Sequence, residues 1–187
     1  TIKKWQPANY EKDYKGLIKL NEALIHSRNL ATINLVTDLG IDVLHKKLDY
    51  FGFRNIPYDL SITLGSFGIS PIDLSEQYTI FSNNGIQNKP YLITSITDFA
   101  GQTIYFEPES KYVTSNSQSY LMTTILKDVV EKGTGRSAKV PGLEVAGKTG
   151  TTNNNIDAWF CGYSPTLQTV VWYGNDDNKP MRRSETG

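Results

Sequence analysis

The sequence has one cysteine, no excess of charge of either sign and no long apolar run, and each absence excludes a class of function. Cys161 alone forms neither an intramolecular disulfide nor a cysteine-rich zinc site. Lys plus Arg and Asp plus Glu both number 19, so the basic excess of a general nucleic-acid binder is missing. No apolar run approaches the roughly 20 residues of a membrane-spanning helix. We therefore expect no metal, no cofactor and no nucleic-acid partner.

The first 85 residues are patterned as short helices. Leucine and alanine recur at helical spacing and predict helices over about 14–27, 30–39 and 42–51, with Gly40 and Gly52 at C-terminal caps. Ser70 has the properties of an N-cap, followed by proline at the first helical position and Asp73 in a capping box. That fourth helix is expected to run to about residue 82 and to stop at Asn83-Asn84-Gly85.

The rest of the chain mixes strands with one helix. Residues 91–106 read as a β-hairpin with its turn at 98–101. A capping box from Ser115 to Gln118 opens a helix with one apolar face that ends at Gly133; its predicted apolar residues are Leu121, Met122, Ile125, Leu126, Val129 and Val130. Strands over 143–149, 158–163 and 169–173 are separated by short connections, which favours an antiparallel meander. The predicted fold class is α+β.

The string Lys148-Thr149-Gly150 allows two interpretations. With the preceding residues from Gly142 it satisfies the pattern of a nucleotide-binding P-loop, but that motif needs a strand before the first glycine and a helix at the lysine. Here the interior residues favour a strand and the following ones oppose a helix. The alternative places the three residues at the end of a strand, where they hold an anionic group and a developing oxyanion, as in serine acyl-transferases that bind penicillin.

Ser27-Arg28-Asn29 fits a second element of those enzymes, Ser-x-Asn. Alone the triplet is unspecific, because serine and asparagine commonly terminate helices. The two histidines, His26 and His45, lie on predicted helices without a partner at ligand spacing, and Cys161 is predicted to be a small buried residue of a strand.

The chain resembles the transpeptidase domain of class A, bifunctional penicillin-binding proteins over nearly its whole length. The segments that carry the resemblance follow in order: 5–10 with 14–16, 22–29, 64–66 with 70–71, then Tyr78, Phe81 and 83–85, 133–135, 146–152, 157–165 and 172–177. The resemblance implies a penicillin-binding and serine β-lactamase-like fold, and an enzyme that cross-links peptidoglycan stem peptides through an acyl-enzyme that β-lactams also form.

The resemblance also implies roles for individual residues. Ser27 relays a proton toward the leaving amine, Asn29 binds the substrate amide, and Lys148 supplies positive charge and shares the relay. Thr149 and Thr151 bind the terminal carboxylate, the backbone N–H of Thr151 contributes to the oxyanion hole, and Gly150 leaves room for the substrate chain. The family further implies a membrane-anchored parent protein with a glycosyltransferase domain, outside the inner membrane of a bacterium.

One family element is missing. The nucleophile of the family lies in Ser-x-x-Lys, and no serine here is followed by lysine three positions later. We therefore expect residues 1–187 to be a partial transpeptidase domain whose nucleophile region and closing helix lie outside it and bind to it. A non-catalytic module with the penicillin-binding fold, which holds stem peptide or protein partners without turnover, remains the alternative.

Overall fold

The computed structural model of the chain describes residues 5–182 and 184–187. Helices precede strands in the first half: α1 (Leu20–Ile25), α2 (Asn29–Leu39), α3 (Ile41–Tyr50), a 3-10 helix (Leu60–Leu64) and α4 (Pro71–Ser82). Four short strands follow, β1 (Ile86–Asn88), β2 (Ser95–Thr97), β3 (Thr103–Tyr105) and β4 (Ser110–Tyr112). The last part holds α5 (Asn116–Lys132), 3-10 turns at Arg136–Ala138 and Asn153–Asn155, and β5 (Ala146–Thr151), β6 (Asp157–Tyr163) and β7 (Gln168–Gly174).

All strand pairs of the described residues are antiparallel. β5, β6 and β7 form a three-stranded meander in that order, β2 pairs with β3 as the predicted hairpin, and β1 pairs with β4. The α+β class and the meander are thereby confirmed. The β1–β4 pair was not predicted, because each strand has only three residues and no alternating pattern to reveal it.

Most predicted helix ends are confirmed. Ser70 accepts a hydrogen bond from the Asp73 backbone N–H (3.2 Å), and Ser115 and Gln118 form a reciprocal capping box. Gly40 caps α2 with a φ of 88°, a conformation that favours glycine. These local signals act within one turn, which explains why sequence alone locates them.

Two sequence predictions are wrong in part. The first helix begins at Leu20 rather than near residue 14, because Gly16 has a φ of 65° and Lys19 is extended. Leu121, predicted on the apolar face of α5, is 62% exposed, whereas Leu126, Val129 and Val130 on that helix are buried. The buried stripe of α5 is therefore narrower than the predicted one.

The core lies where α5 crosses the meander. Leu126 packs with Ala146 and Tyr163, and Tyr78, Phe81 and Met122 surround them. Cys161 is buried and free, as its strand position predicted. Among the described residues, no helix is both long enough and apolar enough to cross a membrane.

The C-terminal end of α5 is pressed against α1, and this contact brings distant segments together. A Cβ at Gly133 would lie 2.3 Å from the carbonyl oxygen of Ile25, so no other residue fits without a shift. The next residue, Thr134, donates its backbone N–H to that same oxygen (3.3 Å). The turn after α5 is thereby fixed beside the α1–α2 junction.

Candidate active site

A cleft of about 460 Å³ separates the α1–α2 junction from the end of β5. It is lined by residues 8–11, 26–29, 134, 149, 151–152, 154–155 and 186–187. Four of the predicted site residues, Ser27, Asn29, Thr149 and Thr151, therefore meet in one cavity although about 120 residues of sequence separate the two pairs.

Ser27 occupies a left-handed turn between two helices. Its φ is 51°, and its backbone N–H is bonded to the Leu24 carbonyl (3.1 Å) at the end of α1. A non-glycine residue in this region is strained by roughly 1–3 kcal/mol, so the surrounding contacts must hold it. The turn leaves Ser27 exposed at the cleft, while the following residue is buried.

Asn29 is tied to the segment that precedes α1. Its Nδ2 donates to the Ala8 carbonyl at 2.9 Å, and Asn9 Oδ1 accepts the Leu30 backbone N–H at 3.2 Å. Asn9 also donates its amide to the Asp13 carbonyl (2.9 Å). Sequence analysis assigned no role to this segment; the only signal was its place in the family resemblance.

The opposite wall is formed by threonines of β5. Thr149 Oγ1 lies 2.8 Å from Thr134 Oγ1, and Thr151 Oγ1 accepts the Gly187 backbone N–H at 3.1 Å. In the sequence, the only signal for Thr134 is its place in segment 133–135 of the family resemblance. The structure makes it the hydroxyl that fixes the side chain of Thr149.

Lys148 and Gly150 line a second cavity, of about 570 Å³, beside the first. Thr149 and Thr151 line both cavities. Aromatic side chains also line the second cavity; they are Phe53, Phe67, Tyr78, Trp159 and Trp172. Burial lowers the pKa of Lys148 to about 8. In its cross-strand partner Cys161, burial raises the pKa of the thiol to about 12.

The Lys148 ammonium donates to the carbonyl oxygen of Thr149 (2.9 Å). Among residues 5–182 and 184–187 its hydrogen bonds go to Thr149, and none joins it to Ser27. The structure thus brings Ser27, Asn29, Thr149 and Thr151 together and keeps Lys148 in the adjoining cavity. The shared proton relay of Lys148 and Ser27 stays a prediction.

The position of Lys148 also decides the nucleotide alternative. A P-loop lysine stands where a loop enters a helix. Lys148 stands inside β5, paired with Cys161 of β6, and the P-loop interpretation is therefore wrong. Within the described part of the chain, no group of three or more His, Cys, Asp or Glu side chains is arranged to hold a metal ion.

Comparisons with known proteins agree on one family. A family model described as penicillin binding protein transpeptidase domain matches residues 1–186. Penicillin-binding protein 1A of Neisseria lactamica is 35% identical over 192 residues, which cover 98% of this chain and 24% of that protein. The same protein of Aquifex aeolicus is 35% identical over 184 residues, with 98% and 25% covered.

Solved structures extend the comparison. Penicillin-binding protein 1A from Haemophilus influenzae superposes with a TM-score of 0.90 at 25% identity, over 98% of this chain and 34% of that one. Penicillin-binding protein A from M. tuberculosis, in an imipenem acyl-enzyme complex, has a TM-score of 0.78 at 22% identity, over 96% and 47%, and shares the fold. The chain spans about a quarter of the length of the curated relatives it matches.

Proposed function

Because the chain belongs to the penicillin-binding protein transpeptidase family, we propose that it forms part of a peptidoglycan D,D-transpeptidase and of a target of β-lactam antibiotics. In this reaction a serine oxygen attacks the carbonyl between the two terminal D-alanines of a stem peptide. The C–N bond breaks, the terminal D-alanine leaves, and the amine of a second stem peptide then displaces the serine to form the cross-link. A β-lactam acylates the same serine when its ring opens.

The observation that carries this proposal is the cleft in which Ser27 and Asn29 face Thr149 and Thr151. Hydroxyl and amide groups converge there on a space large enough for a peptide end. We assign Thr149 and Thr151 to the terminal carboxylate, Asn29 to the substrate amide and Ser27 to proton transfer toward the leaving amine. Gly150, which has no side chain, lets the substrate backbone approach β5.

Lys148 fits a role in proton transfer. A lysine with a pKa of about 8 releases and accepts a proton near neutral pH far more readily than an ordinary lysine. We propose that it serves as a source of positive charge and part of the proton relay, on the side of β5 that faces the aromatic cavity.

The attacking serine belongs, in this proposal, to residues outside the 187. No serine in the sequence is followed by lysine at the third position, which is the family pattern for the nucleophile. The remainder of the transpeptidase domain is therefore a partner of this chain. A membrane-anchored parent protein with a glycosyltransferase domain, acting at the periplasmic face of the inner membrane, completes the proposal, since the wall is assembled there.

A fluorescent penicillin tests the proposal. The full-length native protein that carries these residues should form one covalent fluorescent band on a denaturing gel, and excess unlabelled penicillin should abolish it. Failure of the folded full-length protein to label would refute the transpeptidase function. The 187-residue chain alone should not label, and if it did, the nucleophile would lie within it.

A non-catalytic binding module is the second candidate, because the 187 residues by themselves hold no Ser-x-x-Lys and would bind without turnover. Release of D-alanine from a synthetic stem peptide separates the two functions. The full-length native protein should release D-alanine if it is a transpeptidase, because water slowly replaces the acceptor amine. A binding module would bind the peptide without release.

A further inference from the structure

The residue between Ser27 and Asn29 is buried, unlike its neighbours. Arg28 is 6% exposed, whereas Ser27 is exposed and Asn29 is half-buried. A guanidinium removed from water is stable only when opposite charges and hydrogen bonds replace the lost hydration. The groups that pair with Arg28 therefore show which segment of the chain holds the turn in place.

Two carboxylates hold the Arg28 guanidinium, and both precede α1. Nη1 bonds Oδ1 of Asp13 and Nη2 lies 3.3 Å from Oδ2, which is the two-point geometry that a planar guanidinium matches. Nη2 also lies 2.9 Å from Glu11 Oε2. The hydrogen bond from Arg28 is the main cause that lowers the pKa of the Asp13 carboxyl.

The same segment also contacts the turn through neutral hydrogen bonds. Asn29 donates to the Ala8 carbonyl, and Asn9 accepts from the Leu30 backbone, on either side of the ion pairs. We call residues 8–13 the strap. The strap thus grips three consecutive residues, 28–30, immediately after the strained backbone of Ser27.

We propose that Arg28 is a positioning residue: its ion pairs with Asp13 and Glu11 fix the turn so that Ser27 and Asn29 face Thr149 and Thr151. This inference rests on the proposed function, because orientation matters only if the turn takes part in acyl transfer. The guanidinium of Arg28 is paired with the strap carboxylates, so Arg28 acts on the turn through its neighbours in sequence.

Loss of the ion pairs should allow the backbone of the turn to leave its present conformation. Ser27 is held in a left-handed conformation that it would leave if its surroundings allowed. Without the guanidinium, the hydrogen bonds that the described residues show between the strap and the turn are the two neutral ones to Asn29 and Leu30. A displacement of about 1 Å at a catalytic group reduces rates by as much as about 100-fold.

The test measures β-lactam acylation in the full-length native protein. Arg28→Met keeps most of the buried stem without the charge, and Arg28→Lys keeps the charge without the planar fork. Asp13→Asn removes the two-point partner from a side chain that is 41% exposed, so it should fold even if the Arg28 variants do not. Arg54→Ala, which breaks an ion pair with Asp49 on exposed side chains, is the matched control.

Rate and amplitude of labelling separate positioning from folding. A residue that only stabilises the fold would lower the fraction of molecules that label and leave the rate of the folded ones unchanged. We expect the acylation rate constant to fall about 10- to 100-fold for Arg28→Met and about 3- to 10-fold for Arg28→Lys and Asp13→Asn, at unchanged final amplitude. Arg54→Ala should stay within about twofold.

A combined variant adds a check on the pathway. Asp13→Asn should reduce the rate no further in an Arg28→Met background, because the carboxylate acts through the guanidinium. Rates equal to wild type in Asp13→Asn and in the folded Arg28 variants would overturn the inference and leave the proposed function intact. Wild-type protein that does not label would overturn the proposed function, and this inference with it.

Discussion

The buried ammonium of Lys148 should weaken the fold at neutral pH. Burial lowers its pKa from 10.5 to about 8, and the difference of about 2.5, at about 1.4 kcal/mol for each pKa unit, is roughly 3 kcal/mol. The hydrogen bond from Nζ to the Thr149 carbonyl returns about 1 kcal/mol of this. Lys148→Met should therefore raise the free energy of unfolding at pH 7 by roughly 2 kcal/mol.

The sign of the pH dependence follows from proton counts. Below about pH 8 both the folded and the unfolded chain hold the proton, so the full penalty is present. Between about pH 8 and pH 10.5 the folded state has released it while the unfolded state still binds it, and stability rises with pH. Above that window both states are neutral and the penalty is gone, so the advantage of Lys148→Met over wild type should disappear.

Two assays check this prediction. Competitive acetylation with trace reagent, followed by mass spectrometry, gives the pH at which Lys148 becomes half reactive; an unstructured lysine peptide, with a pKa of about 10.4, is the standard. Urea unfolding at pH 7 to pH 10 gives the stability difference, with Lys46→Met on the exposed face of α3 as control; this variant should change stability by less than about 0.5 kcal/mol. Half-reaction near the peptide value, or a Lys148→Met variant less stable at pH 7, would refute the reasoning.

Four further substitutions test the packing and the edge of the sheet. Gly85→Ala should prevent folding or lower the free energy of unfolding by more than about 3 kcal/mol, because φ is 92° and a Cβ would lie 2.0 Å from the Thr114 carbonyl oxygen. Gly142 has a φ of 78° but open space around it, so Gly142→Ala should cost only about 1 kcal/mol in urea unfolding. Ser119→Ala should cost about 1–3 kcal/mol in the same assay, since its buried hydroxyl shares one proton between two backbone carbonyls of α4, at 3.1 and 3.0 Å. Val171→Lys should raise the concentration at which the 187-residue chain stays monomeric in sedimentation, because it charges the apolar edge strand β7; unchanged association would contradict this.

Sequence predicts the parts of this fold that depend on neighbours in the chain. The caps at Ser70 and Ser115 and the stops at Gly40 and Gly133 act within a turn or two of helix, and all are found where the sequence places them. The first helix is shorter than the leucine spacing predicts, because Gly16 has a φ of 65° and the helix begins after it. The spacing of apolar residues predicts which face of a helix is buried, but it does not predict the residue at which the helix begins.

The same distinction applies to the residues of the site. The motifs that contain Ser27 and Lys148 can be predicted because each is contiguous in sequence, and the order of motifs in the family links one to the other. The Arg28–Asp13 pair is not predicted from the sequence, because an arginine between two polar residues has no pattern of its own and its partner lies 15 residues away. The contact of Thr134 with Thr149 is not predicted for a similar reason, because the packing of α1 against the end of α5 brings the two residues together.

Lys148 and Thr149 stand side by side where the two cavities meet. Lys148 lines the cavity with aromatic walls, and Thr149 lines both that cavity and the cleft. The Lys148 ammonium lies 2.9 Å from the Thr149 carbonyl oxygen and 3.5 Å from its hydroxyl. Partial burial lowers the pKa of the lysine, while a substrate that enters the cleft can still contact the neighbouring threonine. Adjacent positions of β5 therefore place a group suited to proton transfer next to a group suited to binding a carboxylate, and this explains why the motif needs both residues in sequence.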